Sequence, residues 1–316
     1  MSEANRISII IPNYNGAQLL EQNLPSIIAA LTHWGGDYEL IVVDDHSTDA
    51  SCQVLAERFP QVRLLVNASN LGFSKSCNIG FAIAQYSIGI CINNDVNVDV
   101  DCIAPLLKHF VENDVFAVTP NILAEREGRN QGIVYGLYGK GSLKGSFAPL
   151  EERGDARENL YAIGACVAYD MAKFRALGGY SEMFTPYLFE DVDISYRAWK
   201  RGWKSLYEPG ATVYHYSSAT IGKMNKSAKR TIYFRNRFLF HWVNLSDPAF
   251  VLKHILITLF RLSVSFLWLN FTYYSAFWGA LRRWKDVAAL RSAERNFRNL
   301  GDAEVLRRTA RRTCDV

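Results

Sequence analysis

The first hundred residues carry the strongest constraint on the fold. Four short apolar runs, Ile7 to Ile11, Leu40 to Val43, Val62 to Val66 and Ile88 to Ile92, alternate with segments whose apolar residues recur at helical spacing. Leu20, Leu24, Ile27, Ile28 and Leu31 form the first such segment, Val54, Leu55 and Phe59 the second, and Ile79, Ile83 and Tyr86 the third. Buried strands joined by crossover helices imply an α/β protein with a largely parallel sheet. Pro12 is expected to end the first strand, and Asp49 and Ser74 are placed to cap the second and third helices.

In open sheets of this kind, ligands bind beyond the carboxyl ends of the strands. Three of the four runs end in polar clusters there: Pro12-Asn13-Tyr14-Asn15, Asp44 through Asp49 (DDHSTD), and Asn93-Asn94-Asp95. Seven glycines lie between Gly128 and Gly154 at spacings too irregular for a phosphate loop, so this stretch is read as a mobile excursion over the site.

With 316 residues, 49% of them hydrophobic, the chain can build a real core and is not of a disordered or disulfide-stapled class. Its formal charge of +4 is unevenly spread, since residues 282–316 hold ten Arg/Lys against five Asp/Glu and the remainder is close to neutral. Positive charge confined to one end, with no recognised binding module, argues against nucleic acid as a partner. Six scattered cysteines lack metal-ligand spacing and are expected to be buried thiols. The start MSEANR lacks the features of a signal peptide, so a cytosol-facing protein is expected.

Five segments in order, IIIPNYN, VVDDHSTD, NASNLGFSKSCNIG, INNDV and FEDVDISYRAWKRGW, resemble the inverting family 2 glycosyltransferases of the GT-A fold, most nearly their rhamnosyltransferase-like branch. The resemblance covers roughly residues 6 to 235. It implies a mixed, mostly parallel sheet flanked by helices, with a nucleotide-sugar-binding half (1–100) and an acceptor and catalytic half (101–240); beyond it, the apolar stretches and basic tail are expected to form a helical, membrane-associating region (241–316). It also implies a nucleotide-diphosphate sugar donor, a glycan or lipid-linked acceptor in bacterial surface polysaccharide synthesis, and Mg²⁺ or Mn²⁺.

The donor's base, ribose and diphosphate need an apolar wall, a carboxylate and a cation. By the resemblance, Pro12 and Tyr14 flank the base, Asp44 and Asp45 serve the base or ribose, and Asn70, Gly72, Phe73 and Asn78 close over the nucleoside. Lys75 is placed to approach the diphosphate, although an ordinary solvated lysine would look the same. Two adjacent acids after a strand also suit a turn. Asn93-Asn94-Asp95 stands where the family has its metal motif, with Asp95 as ligand, Asn94 beside the donor and Asn93 in place of the first acid. His215 matches a late histidine that completes the metal or diphosphate site.

Asp191 is the candidate general base and Glu190 an acceptor-orienting neighbour; both lie at a helix start, whose dipole favours an ionised carboxylate. Asp193 precedes Arg197 by four residues and reads as half of a helical ion pair. Gly164-Ala165 resembles the small-residue step beside the sugar pocket, and Ser181 replaces an acid in the family's GGFDE pattern, leaving donor and acceptor choice open. Two competing readings are a silent binding or scaffold protein on the same fold and a sugar-1-phosphate nucleotidyltransferase. The latter should carry a basic, glycine-rich loop after the first strand, which PNYN is not.

Leu262 to Leu281 is a run of twenty residues without a charge, followed by Arg282, Arg283 and Lys285. As one helix it could just span a bilayer. Its polar and aromatic residues also suit the membrane surface, where each basic residue would contribute about 1 kcal/mol toward an anionic leaflet, and burial within the protein or a dimer is the third reading.

Overall fold

A computed structural model describes residues 6–216, 225–267 and 271–311. The first half runs β1 (Arg6–Asn13), α1 (Ala17–Trp34), β2 (Asp37–Asp44), α2 (Ser51–Arg58), β3 (Arg63–Val66), α3 (Phe73–Ile83), β4 (Ile88–Ile92), β5 (Val96–Val98) and α4 (Ile103–Leu107). There follow β6 (Val115–Ala124), β7 (Arg129–Gly139), β8 (Ser142–Pro149), β9 (Arg157–Glu158), β10 (Cys166–Asp170), α5 (Met171–Ala176), α6 (Glu190–Lys200) and β11 (Lys204–His215). Five helices close the described chain: α7 (Lys226–Asn244), α8 (Pro248–Leu267), α9 (Phe271–Leu281), α10 (Trp284–Glu294) and α11 (Asp302–Thr309).

The strands form one mixed sheet in the order β3-β2-β1-β4-β10-β6-β11-β5, with β7 and β8 continuing from β6 and β9 beside β11. Its β3-β2-β1-β4 part is wholly parallel, as the alternation of runs and helices requires. Strand β10 is antiparallel to both β4 and β6, so β6 and its parallel neighbour β11 point the same way as β1 and β4. Strands β1 to β4, β6 and β11 therefore deliver their carboxyl ends to one edge, and β10 runs against them.

Side chains alternate across β1: Ile7, Ile9 and Ile11 join Leu20, Leu24, Ile27 and Leu31 of α1 in one core layer, while Ile10 joins Cys77 and Phe81 of α3 in the other. The strand continues past Pro12 to Asn13, because the ladder to β4 has already ended at Ile10 and a missing N–H is tolerated there. Asp49 accepts hydrogen bonds from the Ser51 amide and hydroxyl at the start of α2. Ser74 does not cap α3; the helix starts one residue earlier, behind Gly72, and the Ser74 hydroxyl is buried within its first turn.

Two expectations are corrected. Residues 129–149 are an ordered β7–β8 hairpin rather than a mobile loop. The apolar run 262–281 is not one straight helix: the Tyr274 hydroxyl donates to the Leu262 carbonyl, so α9 packs against α8. The helices beyond residue 241 also pack into the fold. Glu294 of α10 meets Arg197 and Arg201, and Asp302 of α11 meets Lys200, so both helices supply counter-ions to buried cations of α6. Asp193 pairs with Arg197 as the spacing indicated, and both are buried.

The basic tail is likewise partly consumed inside the fold. The Arg291 guanidinium donates to the carbonyls of Trp242, Val243 and Leu245, and Arg298 donates to that of Val243, satisfying the open end of α7. Cys77, Cys91, Cys102 and Cys166 are buried free thiols, while Cys314 lies outside the described residues.

Candidate active site

At the edge where the strands end, Asp44 and Asp45 have separate tasks. Asp44 is fully buried; it accepts from Asn13 Nδ2 at 2.8 Å, the Ser47 amide at 2.8 Å and the Ser47 hydroxyl at 2.6 Å. Its carboxylate holds the turn after β2. Asn94 continues this network, donating to Asn13 Oδ1 at 2.7 Å, while its carbonyl accepts from Asn23 at 2.9 Å. A Cβ on Gly16 would stand 2.3 Å from Asn94 Nδ2 and 2.4 Å from Asn13 Oδ1, so only glycine lets α1 start this close. Pro12 is half-buried in β1, and Tyr14 stands exposed just beyond it.

Asp45 instead holds the next loop. Its Oδ1 accepts from the Leu71 amide at 2.8 Å and Asn67 Nδ2 at 2.9 Å, and its Oδ2 from the Gly72 amide at 2.8 Å. Gly72 has a φ of 84° and backs onto the Pro186 carbonyl, which the Phe73 amide approaches at 3.4 Å. Asn70 is exposed on this loop, and Phe73 packs toward Tyr180 and Gly164. Two residues of α3 have neighbours within the fold. Asn78 uses its whole amide on the backbone of Tyr180, at 2.8 and 2.9 Å, and so ties α3 to the GGY turn. Lys75 lies 3.9 Å from Glu182, with its side chain 45% exposed.

The antiparallel pairing of β11 with β5 sets His215 opposite Val96, beside Asp95. His215 Nε2 stands 3.4 Å from Asp95 Oδ1. Its Nδ1 lies 2.9 Å from Gln131 Oε1, whose own Nε2 donates to Glu127 at 3.1 Å. An amide oxygen only accepts, so Nδ1 donates to Gln131 and Nε2 is the atom turned to the carboxylate. A neutral imidazole and a carboxylate so placed are suited to share a cation. Asp95 Oδ1 and the neighbouring Asn93 Oδ1 are both buried without a hydrogen-bond partner among the described residues, a penalty of about 1–3 kcal/mol for each such group. This pair fits a hard divalent ion that completes its shell with substrate oxygens. Among the described residues no set of three or more His, Cys, Asp or Glu surrounds such a position.

Glu190 and Asp191 open α6 behind Phe189, whose φ is 81°. Asp191 Oδ2 accepts from the Gly164 amide at 3.0 Å and Oδ1 from the Val192 amide at 2.8 Å. Burial raises the Asp191 pKa against the effect of those two donors, the opposite of the helix-start expectation. Glu190 is pushed up to about 8, first by burial and then by the charge of Asp191, and its Oε2 has no hydrogen-bond partner among the described residues. Glu190 therefore holds its proton near neutral pH.

Asp191 faces a cavity of about 940 Å³ enclosed by the β7–β8 hairpin, the loop before β10, the start of α6 and the Tyr233–Arg237 side of α7. Sequence reasoning missed Gln131, which orients His215, and the amide of Gly164, which fixes Asp191. A glutamine inside a strand carries no local signal of either role. The hairpin's contribution was hidden by its glycines, which read as loop.

The model of the family described as Glycosyl transferase family 2 matches residues 8–178. The chain belongs to this family. Curated relatives include an uncharacterized protein of Sinorhizobium fredii, 29% identical over 77% of this chain but 28% of its own length. Another is the N-acetylglucosaminyl-diphospho-decaprenol L-rhamnosyltransferase of Mycobacterium tuberculosis, 25% identical over 69% of this chain and 78% of its own. The chain therefore spans little more than a quarter of the first relative and over three quarters of the second. Among solved structures, GalNAc-T7 with UDP, GalNAc and Mn²⁺ aligns with a TM-score of 0.60 at 18% identity, covering 77% of this chain and 48% of that one. The mannosyltransferase PcManGT of Pyrobaculum calidifontis, in complex with GDP-Man and Mn²⁺, aligns with a TM-score of 0.54 at 16% identity over 92% and 86%. At such identities these two establish the fold, the GT-A arrangement.

Proposed function

We propose that this family 2 protein is an inverting glycosyltransferase, moving a sugar from a nucleotide-diphosphate donor to a hydroxyl of a glycan or lipid-linked acceptor in bacterial surface polysaccharide synthesis. The observation that carries the reading is Asp191. It is anchored by the Gly164 amide, raised in pKa by burial, and set at the wall of a substrate-sized cavity on the edge where the strands end. A carboxylate with a raised pKa is a stronger base than an exposed one. Asp191 takes the acceptor's hydroxyl proton while that oxygen bonds to the anomeric carbon. The bond to the diphosphate breaks on the opposite face, and its electron pair leaves with the nucleoside diphosphate. Glu190, holding a proton near neutral pH, is suited to donate a hydrogen bond to the acceptor.

Asp45, the 71–72 loop and the exposed Tyr14 would receive the nucleoside. Asp95 and His215 would hold Mg²⁺ or Mn²⁺, which when bound neutralises charge on the departing diphosphate. The mycobacterial relative's name favours a rhamnosyl donor. The scaffold alternative is disfavoured by the buried Asn93 Oδ1 and Glu190 Oε2, which have no hydrogen-bond partner among the described residues.

Peripheral attachment to the inner face of the membrane belongs to the same reading. Pro248–Ser265 has the length and mean hydropathy, 1.4, of a membrane-crossing helix. One face of α8 is committed to the protein, with His254 Nδ1 2.7 Å from the Gly141 carbonyl. The other exposes Leu252, Ile255, Leu256, Leu259 and Phe260, which favours lying on the bilayer over spanning it.

A thermal-shift screen of nucleotide sugars with and without Mn²⁺ tests the donor side. One nucleotide sugar should raise the melting temperature in a metal-dependent way. No shift with any UDP-, GDP- or dTDP-sugar would refute the proposal.

A further inference from the structure

The cavity that Asp191 faces has an unusual charge balance. Among the described residues Asp191 is its only carboxylate, whereas Arg129, Lys144, Arg237 and Arg311 all line it. Two of these cations are neutralised from outside the cavity, Arg129 by Glu127 at 2.6 Å and Arg311 by Glu152 at 2.8 Å. Arg237 is different. It is half-buried on α7, its guanidinium lies 5.8 Å from the ring centre of Tyr233 and 5.2 Å from that of Phe234, and no carboxylate among the described residues pairs with it. Lys144, across the cavity on β8, is exposed and also has no such pair. Arg129 adds a buried Nε with no hydrogen-bond acceptor.

Stacking on two aromatic rings holds the Arg237 fork in place but leaves its charge unmatched. A half-buried guanidinium without a counter-ion is a standing cost unless a ligand brings the anion. A neutral sugar acceptor would leave that cost in place. An acceptor carrying a phosphate or carboxylate would remove it with charge-assisted, two-pronged hydrogen bonds. The same cations oppose a second negative charge on the Glu190–Asp191 pair less than a neutral wall would, so they are compatible with an ionised base.

We infer that the acceptor is anionic: its sugar hydroxyl meets Asp191 while an adjoining phosphate or carboxylate is held between Arg237 and Lys144. The inference rests on the glycosyltransferase reading above and narrows its acceptor. The shared chemistry is the anion, and it can come from a lipid-linked diphosphate or from an acidic sugar.

The full-length protein is assayed with the nucleotide sugar that stabilises it thermally and three acceptors: a short-chain prenyl diphosphate-linked N-acetylglucosamine, a methyl uronide, and the neutral methyl glycoside of N-acetylglucosamine. Each is run with wild type, Arg237→Gln and Lys144→Gln. One anionic acceptor should be used at least tenfold more efficiently than the neutral one, and which of the two it is identifies the source of the anion. Arg237→Gln should raise KM for that acceptor by about 10- to 100-fold, the range for loss of a charge-assisted pair. Its KM for the neutral acceptor and its donor-induced thermal shift should stay unchanged, which separates lost recognition from lost folding. Equal use of neutral and anionic acceptors, or an equal effect of Arg237→Gln on both, overturns the inference while leaving the glycosyltransferase reading standing. Wild-type protein that transfers to none of the three overturns both.

Discussion

Asp302→Ala is the sharpest structural test of how the C-terminal helices belong to the fold. Asp302 is completely buried, and its Oδ1 accepts from Lys200 Nζ at 2.6 Å and from the Tyr196 hydroxyl at 2.7 Å. Its Oδ2 accepts from the amides of Ser246 and Asp247, each at 2.7 Å. Alanine would strand a lysine side chain that is 2% exposed, together with two backbone N–H groups. Breaking one side of a buried pair costs about 3–5 kcal/mol. Each orphaned amide costs about 1–3 kcal/mol more, though the terms overlap and do not simply add. We expect a loss of at least about 4 kcal/mol, and at about 2 °C per kcal/mol for a chain this long, a melting temperature lower by about 8 °C or more. Burial alone would raise the Asp302 pKa, but Lys200 and the amides of Asp247 and Ser246 outweigh it and hold the group below the ordinary carboxylate value. Its contribution is therefore present above pH 3.8 and lost as pH falls through its lower folded pKa. The assay is denaturant and thermal unfolding of wild type and Asp302→Ala, with Asp302→Asn as the milder change. An alanine variant that melts within 2 °C of wild type would refute the view that α11 is part of the core of the protein.

Three further outcomes are expected. Gly72→Ala forces a side chain into φ 84° and 3.2 Å from the Pro186 carbonyl, so it should cost about 1–3 kcal/mol and weaken donor binding; calorimetry showing unchanged donor affinity would contradict the role given to this loop. His241 and His254 stack at 4.7 Å and are held neutral chiefly by burial, with pKa values below the usual 6.5. Their contribution is complete above pH 6.5 and falls below it by up to about 1.4 kcal/mol per histidine per pH unit, so the melting temperature should drop between pH 7 and 5.5 and drop less in His254→Asn. Leu256→Glu with Phe260→Glu, on the exposed face of α8, should abolish sedimentation with anionic vesicles without lowering the melting temperature; undiminished sedimentation would remove α8 as the membrane contact.

Much of this architecture is legible in the sequence because parallel strands buried on both faces leave unmistakable apolar runs, and the polar residues that end those runs have to gather at one edge. What was not legible depended on distant partners. Nothing local distinguishes Asp44 from Asp45: the first closes its own turn through Ser47, while the second reaches loop residues 26 and 27 positions away. Asn78 looks like a ligand-facing amide until Tyr180, 102 residues on, takes both its ends. The glycines of the hairpin misled for a related reason. Gly136 and Gly145 sit inside strands, where a Cβ would strike Thr309 in one case and Tyr161 in the other, so they mark close packing and not a loop. Apolar residues 262–281 form a continuous run in sequence, yet Tyr274 reaches back to the Leu262 carbonyl, a contact that composition alone does not encode.

The central claim is that Asp191 is the base of an inverting transfer, and one variant addresses it directly. Asp191→Asn preserves the side chain's shape and one accepting oxygen for the Gly164 amide but cannot take a proton. With the stabilising nucleotide sugar and its acceptor, wild type should form product of inverted anomeric configuration, read by NMR. The variant should bind the donor with unchanged affinity and transfer at a rate lower by about 10²–10⁴-fold, the usual range for loss of general-base catalysis. Transfer by Asp191→Asn within a few fold of wild type, or a product of retained configuration, would contradict the account.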